Sequence, residues 1–376
     1  MAAPHTQPVG RPVHFVMPGG VDDAAAPSGG NLYDLRLCRE LTEAGWQVHG
    51  HSVPGDWPQP GPVDRARLAE LVASLPNDSV VLLDGLVACA VPELIVPAVE
   101  RLRVAVVVHL PLADETGLSA HEAAQLDARE RETLRAVPAV VATSTWTARQ
   151  IAAHHGLVAA RVHVAAPGTD PADPAHGTDG VSRLLCVASV TPRKGHDRLV
   201  QALGSVADLP WECFFVGAVD ESSAYVAGLR AEVEKSGLSG RVHFTGARTG
   251  PEFQAAFAAA DLMVLTSYAE TYGMALTEAL ARAIPVLAVD VGGVREAVGH
   301  APDGHVPGML LPTGDPAEIA SAMRRWFDDS PLRRRLKEAA LARRETLDPW
   351  GTTARHLTAA LESMPSTARK TGCLHD

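Results

Sequence analysis

The sequence predicts an α/β chain built as two halves, each an open parallel sheet flanked by helices. Three observations carry this. Short apolar, β-prone runs such as Val13–Met17, Val80–Leu83, Leu262–Leu265 and Val286–Val289 alternate with longer stretches of helical pattern, which is the order of repeated βαβ units. Several of those runs end in glycine or a polar loop, as at Asp84-Gly85, Gly217 and Gly246. The run Pro171–Gly180, PADPAHGTDG, is dense in Pro, Gly and Asp and divides the chain near its middle. The expected organisation is a first domain at 1–172, a second at 182–348, and a terminal segment at 349–376.

Composition narrows the class. A chain of 376 residues with 46% hydrophobic content supports two ordinary cores. A net charge of −11 argues against a nucleic-acid partner, which needs a basic face, and against strong attraction to anionic membranes. The five cysteines (Cys38, Cys89, Cys186, Cys213, Cys373) show no CxxC or zinc spacing. Their odd number and scatter fit a reducing, cytoplasmic setting. No apolar run reaches the roughly 20 residues that span a bilayer, and the first residues lack a signal-peptide core. Arginine outnumbers lysine and alanine is abundant, a bacterial, GC-rich composition.

In chain order, residues 1–10 read as loose, and Val13–Met17 opens the first sheet. Its loop ends in Ser28-Gly29-Gly30-Asn31, from which a helix runs to about Ala44. Two readings stand at Gly29-Gly30: a phosphate contact at a helix N-terminus, and a loop needing positive φ. The G-x-G-x-x-G spacing of dinucleotide enzymes is missing. Strands follow at Trp46–His51, Val80–Leu83 and Arg103–His109, with His109 at a carboxyl end. A lone His there is more often a hydrogen-bonded structural residue than a ligand, yet the carboxyl edge is where open α/β sheets bind ligands. The charges of Ser119–Ala136 read as a solvated helix face, and Ser144-Thr145 caps the next helix.

Leu184–Ser189 opens the second half. After it come Arg193 and Lys194, which suit either a diphosphate or an ordinary basic turn. The triple Arg333-Arg334-Arg335 sits among acidic residues and reads as an exposed helix face.

The most informative stretch is Leu262–Val298, a strand, a loop with Glu270, a helix from Gly273 carrying Glu278 and stopping at Ile284-Pro285, a second strand, then Gly292-Gly293 and another helix. Free N–H groups at a helix N-terminus suit phosphate, and Gly273 allows close approach to the backbone. An ionised carboxylate is acceptor-only and suits a pair of hydroxyls. Phosphate plus diol means a nucleotide, and a second carboxylate means a second polyol, so the physical reading is a nucleotide-sugar site.

Glu270-Thr-Tyr-Gly-Met-Ala-Leu-Thr-Glu278 resembles the E-x7-E signature of family 4 retaining glycosyltransferases, glycosyl transferases group 1. The resemblance implies the GT-B fold, two Rossmann-like parallel-sheet domains facing a central cleft, with a last helix from Pro349-Trp350 that crosses back to the first. It implies retaining transfer from a nucleoside diphosphate sugar, with UDP the expected nucleotide, and no protein nucleophile. By resemblance, His109 contacts the donor sugar. Arg193, Lys194, Gly29, Gly30 and the N–H groups of Thr271, Tyr272, Gly273 and Met274 face the diphosphate. Ala247 and Arg248 meet the nucleobase, Glu278 holds the ribose, and Glu270 holds the sugar. No metal and no cofactor are expected, since side-chain cations neutralise the leaving group and the nucleotide sugar is a co-substrate. The chain departs from the family pattern at Ser189, an arginine position that Arg193 would replace, and at Ala283, a glycine position.

The loops Gly19–Gly30, Pro54–Pro62 and Leu112–Gly117 are expected to read a soluble small-molecule or saccharide acceptor. A monomer or homodimer without stable membrane insertion is expected. Two further classes fit the same pocket: an epimerase acting on UDP-N-acetylglucosamine, and a non-catalytic nucleotide-sugar-binding protein.

Overall fold

The computed structural model describes residues 10–23 and 28–367. Of the segment 1–10 expected to be loose, all but Gly10 lies outside the described residues, as do Cys373 and the stretch Ala24–Pro27 of the first loop. The chain divides into two compact units. One takes the N-terminal segment to Asp22, Gly30–Pro167 and the segment from Trp350; the other takes Asp23–Gly29 and Gly168–Pro349.

This division falls at Pro167–Gly168, ahead of the expected boundary. The Pro/Gly/Asp run is no free linker, because it is tied to the second unit. Ala175 N–H donates to Arg282 O at 2.8 Å and Gly177 N–H to Ala258 O at 3.0 Å. The buried Asp261 carboxylate accepts from the backbone N–H groups of Thr178, Gly180 and Arg183.

The first unit holds β1 (Arg11–Pro18), β2 (Trp46–Val53), β3 (Val80–Asp84), β4 (Arg103–Val108), β5 (Ala139–Ala142) and β6 (Val162–Val164), in the order β2-β1-β3-β4-β5-β6. Every pairing is parallel. Strands β3, β4 and β5 are apolar almost throughout because helices cover both faces, so no polar alternation survives. A short helix, Gly85–Ala88, follows β3 directly, and the Asp84 side chain caps it by accepting from Leu86 N at 2.5 Å. Helix Ala120–Ala136 starts on a capping box between Ser119 and Glu122. Its charges are not all on a solvated face: Glu130 is buried, with Oε2 3.1 Å from Nε2 of the equally buried His155. Helix Trp350–Ser363 packs within this unit, where Thr353 Oγ1 donates to Ala166 O at 2.7 Å and Arg103 donates to Met364 O at 2.9 Å.

The second unit holds β7 (Arg183–Val187), β8 (Glu212–Val216), β9 (Val242–Gly246), β10 (Leu262–Leu265), β11 (Val286–Val289) and β12 (Gly308–Leu311), in the order β12-β11-β10-β7-β8-β9. Its side chains alternate between two cores. Leu184, Cys186, Leu262 and Val264 pack with the buried Trp326 on one face, and Leu185, Met263 and Leu265 pack with Phe257 and Leu280 on the other. The period of two along each strand sends successive residues to opposite faces. Going outward from β7 the strand order runs in both directions, so the topological switch point lies between β7 and β10.

Helix Met274–Ala281 ends before the proline expected to stop it. Ala283 adopts φ +56°, Ile284 N–H reaches back to Ala279 O at 3.0 Å, and Ala283 N–H reaches Leu280 O at 2.9 Å. This is a Schellman motif, and its left-handed position is ordinarily glycine. The departure noted at Ala283 thus sits where the backbone most favours the glycine it replaces.

Candidate active site

In open parallel sheets the ligand crevice lies outside the carboxyl ends of the strands at the switch point. In the second unit that edge joins the loops after β7 and β10. The first carries the single turn Pro192–Lys194, ended by Gly195 at φ +66°. A Cβ at Gly195 would lie 2.1 Å from Thr266 O, so no other residue fits there. Thr266 Oγ1 donates to Gly195 O at 2.8 Å, and Tyr268 N–H to Arg193 O at 2.8 Å. The two loops are stitched backbone to backbone, which fixes the side chains between them.

Those side chains form an ion pair. Lys194 Nζ lies 2.5 Å from Glu270 Oε1, with 19% and 6% of the side chains exposed. Ser267 Oγ donates to the same Oε1 at 2.8 Å. Burial raises the Glu270 pKa, but Lys194 and, at longer range, Arg193 outweigh it and hold the carboxyl below its ordinary value. Glu270 is therefore ionised, with Lys194 as a charge-assisted donor on one oxygen. Arg193 turns its guanidinium toward Ala269 O, at 3.4 Å.

Gly273 begins the next helix at φ +101° and ψ 57°. No side chain caps this helix start, and Leu276 N–H donates to Gly273 O at 2.9 Å. Glu278 is half-buried on this helix, and its carbonyl accepts from Arg282 Nη1 at 2.7 Å. Tyr272 is turned elsewhere: burial pushes its hydroxyl up to about 12, and its charged neighbours are Arg343, Glu296 and Asp348 rather than Lys194. Arg248, beyond β9, pairs with Glu252 at 2.5 Å beside Ala247.

Gly292-Gly293 does not form a second open phosphate loop. A Cβ at Gly292 would lie 1.7 Å from Glu270 O, and one at Gly293 2.2 Å from Thr271 O. Gly293 N–H donates to Glu270 O at 2.9 Å. The two glycines let this turn press against the Glu270 loop and brace it.

In the first unit the switch point lies between β1 and β3. Gly29 and Gly30 open the helix Gly29–Glu43 rather than forming a loop of their own, and Gly30 is not in the left-handed region. A Cβ on Gly30 would stand 3.4 Å from the His109 ring. His109 follows β4, and its Nε2 lies 2.8 Å from Asp34 Oδ1 and 3.7 Å from Asp84 Oδ2. Burial works against the imidazolium, but the carboxylates, Asp34 foremost, raise the His109 pKa to about 9. Burial and the Asp34 charge push Asp84 up to about 7.

Sequence reasoning missed Ser267, Asp34 and Asp84 as members of these sites. Asp84 precedes a glycine at a strand's carboxyl end, a position that could have marked it. Asp34 carries no such signal, since it lies inside a helix where an acidic residue ordinarily faces solvent.

The architecture, two six-stranded parallel sheets with helices on both faces, is that of GT-B glycosyltransferases. Residues 173–343 match the family described as glycosyl transferases group 1, so the second unit carries a domain of that kind. Among curated relatives, the chain is 31% identical over 249 residues to a D-inositol 3-phosphate glycosyltransferase of Kineococcus radiotolerans, covering 60% of this chain and 57% of that one. It is 28% identical over 214 residues to the 2-deoxystreptamine glucosyltransferase of Streptomyces kanamyceticus, covering 53% of this chain and 54% of that one. The match thus spans little more than half the length of these relatives. Among solved structures, sucrose-phosphate synthase from Thermosynechococcus elongatus aligns with a TM-score of 0.75 at 20% identity, covering 94% of this chain and 98% of that one. Anabaena HepE in complex with UDP-glucose aligns with a TM-score of 0.71 at 18% identity, covering 94% and 100%. Both are likenesses of fold. Among the described residues no helix is long and apolar enough to cross a membrane.

Proposed function

We propose that the protein is a glycosyltransferase that moves a sugar from a nucleoside diphosphate sugar to a hydroxyl of a small soluble acceptor, with retention at the anomeric carbon. The observation that carries this reading is the part-buried Lys194–Glu270 pair at the switch point, beside the glycine-opened helix Met274–Ala281. A departing diphosphate gains negative charge in the transition state. Preorganised cations and N–H groups in a partly dry site stabilise that charge without reorganising. Lys194, Arg193 and the N–H groups of Thr271–Met274 take this role, supported by Gly29 and Gly30. With Lys194 on one oxygen, Glu270 keeps acceptor capacity for sugar hydroxyls. Glu278 binds the ribose, and Ala247 and Arg248 line the base position. Tyr272 backs the diphosphate turn from behind, and His109 acts at the sugar.

UDP as the nucleotide draws support from the similar HepE chain, whose complex holds UDP-glucose. A small polyol acceptor draws support from the relatives named for D-inositol 3-phosphate and 2-deoxystreptamine. A cytoplasmic setting belongs to the same proposal, in keeping with four free cysteines among the described residues. The test is mutational. Glu278→Ala should weaken donor binding and Lys194→Ala should cut turnover; donor turnover at the wild-type rate by both variants would overturn the assignment.

A further inference from the structure

The first unit contains a buried charge cluster whose members come from three separate elements. Asp34 lies on helix Gly29–Glu43, Asp84 ends β3, and His109 follows β4. Asp34 is fully buried and Asp84 is 5% exposed. Two carboxylates so placed are costly unless a cation or a proton compensates them, and among the described residues His109 is the cation they face. The ring is also held sterically. Tyr33 meets it edge-on with centroids 5.1 Å apart, and Gly30 backs it closely. Tyr33 is anchored in turn, its hydroxyl donating to Ala165 O at 2.7 Å. Asp84 is held by Leu86 N–H on its other oxygen.

Because Nε2 is turned to Asp34, any hydrogen bond from the ring to a ligand falls to Nδ1. A neutral ring with its proton on Nε2 would present a bare Nδ1, an acceptor; an imidazolium would present Nδ1–H, a donor. We propose that Asp34 and Asp84 are positioning residues that hold His109 as an imidazolium, whose Nδ1–H is donated to an oxygen of the transferred sugar. His109 then serves as a fixed donor and not as a base, and no proton leaves it during the reaction. This rests on the glycosyltransferase reading above and deepens it. The groups facing the ring are Asp34 and Tyr33 from the first helix and Asp84 from the end of β3, and of these the two carboxylates are the groups that can hold the imidazolium by charge. Their effect on the ring outweighs its burial.

The experiment is a titration of the His109 ring by NMR on the full chain labelled at histidine, assigned by difference from His109→Gln, in wild type and Asp34→Asn. In the wild type, both ring nitrogens stay protonated through pH 7.5. In Asp34→Asn, which keeps an oxygen for Nε2–H but removes the charge, proton affinity falls at least ~10-fold, as loss of one close charge partner predicts. The turnover of Asp34→Asn should drop about 10-fold at pH 8 and less at pH 6, where the weakened imidazolium is restored. A structural role alone would lower turnover equally at both pH values. A wild-type His109 that is neutral at pH 7, or titrates identically in Asp34→Asn, overturns the proposal, and this wild-type measurement stands even if the variant fails to fold. UDP binding, followed by thermal shift, separates the two readings. If the wild type binds UDP while His109 is neutral, only this inference fails. If it binds no nucleoside diphosphate while His109 titrates as expected, the donor reading fails.

Discussion

Lys194→Met removes the cation that neutralises Glu270 while keeping the length and apolar stem of the side chain. Glu270 is 6% exposed, and Lys194 Nζ sits 2.5 Å from its Oε1. What remains, Ser267 Oγ at 2.8 Å and the more distant Arg193 charge, compensates the carboxylate only in part. Breaking a buried pair from one side costs about 3–5 kcal/mol. Because 19% of the lysine side chain meets solvent, a cost below that range, about 2–3 kcal/mol, is expected. For a unit of this size that is a fall in melting temperature of roughly 4–12 °C. Glu270→Gln/Lys194→Met removes both charges and should recover most of the loss, giving a coupling of about 2 kcal/mol in a double-mutant cycle. Turnover should follow the opposite pattern, lost in the single variant and still lost in the double, because the diphosphate contact goes with the lysine. Denaturant unfolding of the four proteins, read beside donor turnover, measures both. Additive stability effects would refute the claim that these side chains form one buried pair, and recovered turnover in the double variant would refute the role of Lys194 at the leaving group.

Three other changes test separate parts of the account. Ala283→Gly relieves a left-handed residue at φ +56° and should stabilise by about 0.5–1 kcal/mol despite the added chain entropy; an unchanged or lower melting temperature contradicts the Schellman reading. Gly292→Ala places a methyl 1.7 Å from Glu270 O. It should displace the Glu270 loop and abolish donor binding, which calorimetry with UDP would detect. The His109 pKa is raised from 6.5 to about 9, so its contribution to stability is fully present below pH 6.5 and is lost as pH rises through 9. Asp84, raised from 3.8 to about 7, adds a cost that grows from pH 4 to 7, in the same direction. Melting temperature should therefore fall from pH 6 to pH 9.5 more steeply in the wild type than in His109→Gln.

Much of the fold was legible because its determinants are local. The apolar strands β10 and β11 have the expected bounds, since buried parallel strands are continuous apolar runs. Glu270, Lys194 and Gly273 were legible from residue type and place, a carboxylate and a cation after strand ends and a glycine before a helix. Other features depend on partners far away in sequence. That Gly292-Gly293 braces a loop, rather than holding phosphate, depends on the carbonyls of Glu270 and Thr271. That the run 171–180 is packed depends on Asp261 and Arg282. Glu130 read as part of a solvated helix face and Asp34 gave no signal; only the fold brings His155 and His109 to them.

The most direct measurement is binding of UDP, GDP, ADP and dTDP and their glucose conjugates to the wild type and Glu278→Ala, followed by thermal shift. A ligand at ~100 times its dissociation constant adds about 2.7 kcal/mol. The account predicts a shift with one nucleotide series, UDP foremost, that is strongly reduced in Glu278→Ala. No shift with any of them, or an equal shift in the variant, would contradict a donor site built on the Glu270–Glu278 stretch.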